Sequence, residues 1–286
     1  MHRGPAATPV RQLYDKLKFL QVNVDRKMVT QDIIIRNAHR DGVHVLILNE
    51  PNKRSAKRQG WLTDSPLDVA IVTIDQDLPV HGSGRGDGYA LLELEEIVIF
   101  SCYCSPNVGI SYFDKYIQNL GEEVRKLRKP VIVVSDFNAK AFEWGSPVED
   151  ARGTTMMDWA SDTDLAVLNR GGRPTFVRNE QQSYIDVTLC TGRVAGKIKN
   201  WSVLEEEETL GWHRAISFEY WGNKSTGGPD RREDGDLTSE ASSGSGKDSG
   251  QSWRPKRGEE PRLGTRDTSD WWRSAATTPC RGGPLG

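Results

Sequence analysis

The chain has 286 residues, with 38 Lys and Arg against 40 Asp and Glu for a formal net charge of −2, and four cysteines. This balance excludes an indiscriminate polycation while leaving local basic patches open, and cysteines without a C-x-x-C pair exclude a zinc ribbon or a disulfide framework. No apolar run approaches the ~20 residues of a membrane span and none near the N-terminus has the form of a signal peptide, so an intracellular protein with no membrane partner is expected.

In chain order, "LKFLQVNV" (17–24) predicts a strand, "TQDIIIRNAHRDG" (30–42) a helix closed by Gly42, and "VHVLILNEP" (43–51) a strand ended by proline. Strands follow at "DVAIVTI", "YALLELE" and "EIVIFSCYCSPN". In the last of these Cys102 and Cys104 alternate and face one side. Spaced glycines in "GSGRGDGYALL" precede a strand rather than joining a strand to a helix, so Asp87-Gly88 reads as a hairpin turn and not as part of a dinucleotide site. The helix over 110–130 puts Ile110, Phe113, Tyr116, Ile117, Leu120, Val124 and Leu127 on one stripe. "VIVVSDFNA" (131–139) is the continuous apolar run of a strand buried on both faces. "TTMMDWASDTDL" predicts a helix, and "LAVLN", "PTFVRN", "SYIDVTLC", "KNWSVLEE" and "RAISFEY" predict short strands. Two mixed sheets packed face to face, with helices outside, would bury all these runs.

From 222 onward Gly, Ser and charged residues dominate, too little apolar surface to offset the entropy of ordering. The expected organisation is a folded domain over 16–221 and a disordered low-complexity tail over 222–286. Trp253, Trp271 and Trp272 in that tail read either as partner anchors or as plain exposed aromatics.

Several strands end on polar groups: Asn23, Glu50, Asp136 with Asn138, and Asp186. Apolar strands leading into carboxylates and carboxamides hold acids together at one sheet edge, and clustered acids need a cation. Oxygen ligands without cysteine point to magnesium, manganese or calcium rather than zinc. A lone histidine in "ETLGWHRAISFEY", His213, gains meaning only beside this set.

The series "FLQVN", "ILNEP", "SCYCSPN", "VVSDFNAKAFEWGSP", "ARGTTMMDWASDTDLAVLN", "PTFVRN", "SYIDVTL" and "LGWHRAISFE" resembles the exonuclease/endonuclease/phosphatase superfamily in order and spacing. Within it, the likeness is to the apurinic endonuclease-like domain of non-LTR retrotransposons. The resemblance implies a four-layer α/β sandwich of DNase I-like form and phosphodiester hydrolysis with Mg2+, Mn2+ being a possible substitute. It implies a double-stranded DNA substrate, nicked on one strand to leave a 3′-hydroxyl primer, and a nuclear location. A reverse transcriptase normally shares the polyprotein; no Tyr-x-Asp-Asp signature is visible here.

Carried over by position, the resemblance makes Glu50 the metal ligand with Asn23 beside it, and Asp136 the acid acting on water or leaving oxygen, held by Asn138. Tyr103 becomes the phosphate-contacting tyrosine, His213 the terminal histidine and Asp186 its carboxylate partner. Arg152, in the "RG" segment, positions the following helix. Lys53, Arg54, Lys57 and Arg58 read either as a DNA grip or as a solvated loop, and Glu205 to Glu208 as a solvated loop end. One departure stands out: Trp212 replaces the aspartate usual before the histidine, which is expected to weaken activity and to crowd the ring. The alternatives are an inactive DNA-binding remnant, an abasic-site nuclease or a phosphatase.

Overall fold

The computed structural model describes residues 14–59, 61–170, 172–205 and 210–222. The tail expected over 222–286, Gly222 apart, lies outside them, as do Glu206 to Glu208. The elements run β1 (Lys16–Asn23), α1 (Met28–Arg40), β2 (Val45–Asn49), α2 (Lys53–Gln59), β3 (Leu62–Thr63), β4 (Val69–Thr73), β5 (Gly82–Gly86), β6 (Tyr89–Glu93) and β7 (Val98–Tyr103). Then come α3 (Ile110–Lys126), β8 (Val131–Asp136), a 3₁₀ turn (Phe142–Trp144), α4 (Ala151–Asp162), β9 (Leu165–Val167), β10 (Phe176–Arg178) and β11 (Gln181–Ser183). The last are β12 (Asp186–Thr191), α5 (Gly192–Ala195), β13 (Ile198–Val203) and β14 (Ile216–Trp221).

Two mixed sheets form, ordered β13-β14-β1-β2-β4-β3 and β5-β6-β7-β8-β12-β9, with β10-β11 a separate hairpin. Each large sheet contains one parallel pair, β1 with β2 and β7 with β8, and antiparallel pairs elsewhere. The reason is local: parallel neighbours need a crossover, and α1 and α3 supply it.

Period-two alternation divides the side chains into layers. Phe19, Ile47, Ile99, Ile132, Ile216 and Phe218 face the other sheet. Leu20, Val22, Leu46 and Leu48 face outward and pack with Ile34 and Ala38 of α1. On the far side Phe100, Cys102, Cys104 and Val133 pack under Phe113, Tyr116, Leu120 and Trp159 of α3 and α4. This is the expected four-layer α/β sandwich. The two cysteines do share a face, while Ile110, assigned to the α3 stripe, is 41% exposed because it starts the first turn beyond the sheet.

Other elements correct the sequence reading. The basic run, read as either a DNA grip or a solvated loop, forms the helix α2, and β3, β5, β11 and α5 are additions to the predicted elements. "PTFVRN" pairs in the small hairpin, Phe176 opposite Ser183, rather than in a main sheet. Asp87-Gly88 does turn between β5 and β6. Gly88 has φ +72°, and a Cβ there would meet the Tyr103 carbonyl oxygen at 2.9 Å, so the hairpin tip needs glycine to abut β7.

Arg152 is a buried strut. Its guanidinium donates to the carbonyls of Phe137 (3.2 Å), Ser105 (2.9 Å) and Val108 (2.6 Å) and lies 4.8 Å from the Phe113 ring centroid. The Asp150 side chain caps α4 by accepting from Gly153 N at 2.8 Å and holds Lys140 N at 3.1 Å. Arg152 thus ties the loop after β7 to the loop after β8. Arg152→Ala strands three carbonyls and is expected to cost about 3 kcal/mol in denaturant unfolding, with lysine restoring only part because it lacks the fork. A loss below about 1 kcal/mol would show the strut to be dispensable.

Candidate active site

The inward-facing positions change from apolar to polar at one end of the layer between the sheets. Along β1, Phe19 is followed on the same face by Gln21 and Asn23; Gln21 Nε2 donates to the Ser135 carbonyl (3.0 Å) in the opposite sheet. Register brings the ends together. Asn23 lies beside Asn49, while Tyr103, Asp136 and Asp186 form one row across β7, β8 and β12. Asn49 Nδ2 crosses the layer to the Cys102 carbonyl at 2.7 Å. Glu50 follows directly, with φ +47°, and Asn138 has φ +50°, conformations an L-residue adopts at a cost.

Asn23 links the acids. Its Nδ2 donates to Asp136 Oδ2 (2.9 Å) and Glu50 Oε2 (3.3 Å), while its Oδ1 accepts from Asp25 N (2.8 Å). Glu50 Oε1 accepts from the Tyr103 hydroxyl at 2.9 Å and lies 3.5 Å from Arg26, which also pairs with Asp68 at 2.6 Å. Tyr103 therefore orients Glu50 in this arrangement. Burial, then the charges of Glu50 and Asp136, keep its hydroxyl protonated by pushing its pKa up. Asn138 donates its backbone N–H to Asp136 Oδ1 (3.1 Å) and its side-chain amide to the Cys104 carbonyl (3.2 Å).

Across the row, Asp186 Oδ2 contacts His213 Nδ1 at 2.9 Å, and His213 Nε2 faces Asp136 Oδ2 at 3.9 Å. Burial alone would lower the His213 pKa, but the Asp186 charge and hydrogen bond, with Asp136 and Glu50, push it up to about 9. Asp136 is pushed up to about 7, first by burial and then by Asp186, against the opposing influence of His213, Asn23 and Asn138.

Hard oxygen donors are thus gathered: Glu50 at the mouth, Asp136 behind it, and an Asp186 Oδ1 that is buried without a hydrogen-bond partner among the described residues. They suit a hard divalent cation. The ligand atoms of Asp136, Asp186 and His213 lie within 4.8 Å of one another and could also hold a metal, although Asp186 already engages His213 Nδ1. Asn23 presents nitrogen rather than oxygen to the acids, so ligation by Asn23 requires its amide to turn over.

Trp212 does not displace its neighbour, contrary to the expected crowding. His213 is buried, with the Phe176 ring at 5.0 Å, whereas Trp212 is 37% exposed. Of the basic run, Lys53 is occupied by Asp68 (3.1 Å) and the Pro66 carbonyl (2.6 Å), and Arg54 and Lys57 are exposed on α2. Arg58 falls in the same helix. Sequence reasoning missed several supports. Thr175 Oγ1 accepts from Asp186 N at 3.1 Å, Asn169 Nδ2 donates to the Asp186 carbonyl at 2.9 Å, and Arg26 lies beside Glu50. A polar residue in a turn carries no periodic signal, so only the three-dimensional pairing reveals them.

Residues 97–217 match the family model described as endonuclease-reverse transcriptase. None of the curated proteins compared matches the chain. Among solved structures, the endonuclease domain of TRAS1, a telomere-specific non-LTR retrotransposon, is similar at 25% identity and TM-score 0.62, covering 72% of this chain and 98% of that one. An AP endonuclease from Archaeoglobus fulgidus is similar in fold at 13% identity and TM-score 0.57, covering 71% of this chain and 99% of that one. The chain thus shares the two-sheet α/β fold of these two endonucleases, and its likeness to the endonuclease-reverse transcriptase family runs through β7, β8 and β12, which carry Tyr103, Asp136 and Asp186. Among the described residues, no helix is long and apolar enough to cross a membrane.

Proposed function

We propose that this domain nicks one strand of double-stranded DNA with the help of a divalent cation, magnesium foremost, and leaves a 3′-hydroxyl from which the element's reverse transcriptase primes. Such a target places its action in the nucleus. The observation that carries the reading is the Asp186–His213 pair at 2.9 Å set beside Asp136, with Glu50 reached through Asn23, at the open end of the inter-sheet layer.

Glu50 is the proposed metal anchor, Asp136 and a turned Asn23 being within its reach; a cation bound there neutralises charge on the scissile phosphate. The remaining chemistry belongs to side chains. His213, charged by Asp186, donates from Nε2 to a non-bridging phosphate oxygen. Asp136, with its raised pKa, exchanges the proton that moves between attacking water and leaving oxygen. Water adds to phosphorus, the P–O3′ bond breaks, O3′ takes up a proton and the phosphate stays on the 5′ side. Tyr103 holds Glu50, and Asn138 holds Asp136.

The test is nicking of supercoiled plasmid with magnesium and with chelator, comparing intact with abasic duplex and including an inositol phosphate. Faster cutting of abasic duplex would make it a repair-type nuclease, and hydrolysis of the inositol phosphate a phosphatase. Binding without nicking would make it an inactive remnant.

We further propose, on composition alone, that residues 223–286 are dispensable for hydrolysis. A chain ending at Gly222 is expected to nick within about twofold of the full rate, and limited proteolysis to converge on a core of that size. A truncated chain that folds but no longer binds DNA would refute the division.

A further inference from the structure

Trp212 adjoins His213 in sequence, yet its indole lies at the surface, 37% exposed, while the histidine is buried. Two cations from distant parts of the chain lie over that ring. Lys27 Nζ, from the turn between β1 and α1, is 5.0 Å from its centroid, and the Arg178 guanidinium carbon, at the end of β10, is 5.3 Å away. All three segments adjoin the site. Lys27 follows Asn23 and Arg26; the Trp212 carbonyl accepts from Val177 N at 2.7 Å; and Phe176 pairs with His213.

A nucleic-acid strand crossing this site meets Glu50, Asp136 and Asp186, which repel its phosphates, so cations beside the acid cluster have to hold it. Arg26 is engaged by Asp68 and Glu50, and Lys53 by Asp68. Lys27 pairs with Asp25 at 2.8 Å, whereas Arg178 has no carboxylate in ion-pair reach among the described residues. Long cationic side chains at a surface sample many rotamers, and an aromatic face restricts them. Resting on the nuclease reading above, we propose that Trp212 is a positioning residue that orders Arg178 and Lys27 into a phosphate clamp for the DNA strand beside His213. Arg178 supplies the fork suited to phosphate oxygens, and Lys27 a point charge next to it.

The experiment measures duplex DNA binding by the full-length chain over a salt series, with chelator present to prevent cutting. Each phosphate that the protein ceases to neutralise lowers the slope of log K against log salt by about 0.9. Arg178→Ala is expected to lower it by about 0.9, and Trp212→Leu by about 0.9 to 1.8, as one or both cations are released, with affinity falling roughly 3- to 10-fold. Trp212→Phe, which keeps an aromatic face, should restore the wild-type slope. Weaker binding by Trp212→Leu at an unchanged slope would mean that the indole itself stacks on a base, and would overturn the proposal; so would no change at all. If Trp212→Leu fails to fold, Arg178→Gln tests the same clamp without touching the indole, and an unchanged slope there refutes it. Wild-type protein that binds no duplex refutes the nuclease reading together with the clamp, whereas wild type that nicks plasmid while the variants keep its slope refutes the clamp alone.

Discussion

Alanine at Glu50 or at His213 is expected to lower magnesium-dependent nicking by roughly 10²- to 10³-fold each, the usual loss when one fixed charge partner of a transition state is removed. The two substitutions should fail in different ways. Glu50 is held by Tyr103 at 2.9 Å and by Asn23 at 3.3 Å, at the mouth of the site, so its loss removes the proposed metal anchor and should raise the magnesium concentration needed for half-maximal rate. His213 is buried against Asp186 and Phe176, and its loss leaves metal demand intact while lowering the rate at saturation. Chelator should stop wild-type nicking, and added magnesium should restore it. A magnesium titration of single-turnover nicking separates the two cases. Wild-type rates in either variant would remove that residue from the site, and an identical magnesium dependence in Glu50→Ala would move the metal elsewhere.

What can be read from the sequence follows from where a side chain's signal comes from. Asp136 is legible because it ends a strand buried along its whole length, and Glu50 because a proline stops the apolar run just after it. That these ends share one edge is not legible, since it depends on registers such as Tyr103 beside Asp136 and Asp136 opposite Asp186. α2 escapes notice because "KRSAKRQ" has one apolar residue, Ala56, and one residue makes no stripe. β5, "GSGRG", has almost no side chains to alternate and is a strand because β6 offers it a template. Trp212 is visible as an anomaly. Its orientation is not, because Lys27 and Arg178 lie far from it in sequence.

Asparagine at Asp136 is expected to cost nicking about 10²- to 10⁴-fold, as for loss of a general acid or base, and yet to stabilise the metal-free fold above neutral pH. Proton linkage is the reason. Burial, and after it the Asp186 charge, raise the Asp136 pKa from 3.8 to about 7, so the native state binds this proton more tightly than the unfolded chain does. Between those values the native state holds more protons, and stability falls as pH rises. The destabilisation is absent below about pH 4 and complete above about pH 7, with an upper limit of roughly 4 kcal/mol. Asparagine carries no charge and escapes it, but its amide cannot accept from both Asn23 Nδ2 and Asn138 N as the carboxylate does, which returns about 1 kcal/mol. In chelator the variant should therefore exceed wild type by about 1–3 kcal/mol at pH 8, the gap closing as pH falls towards 4. Magnesium should narrow the gap as well, because a bound cation stabilises the native wild type in proportion to its affinity and finds one carboxylate fewer in the variant. Denaturant unfolding of both proteins at several pH values, with and without magnesium, decides the matter. A variant less stable than wild type at pH 8 in chelator would mean that Asp136 is already well accommodated as a carboxylate, by His213 and its amide donors, and that the site stores no charge strain for a cation to relieve.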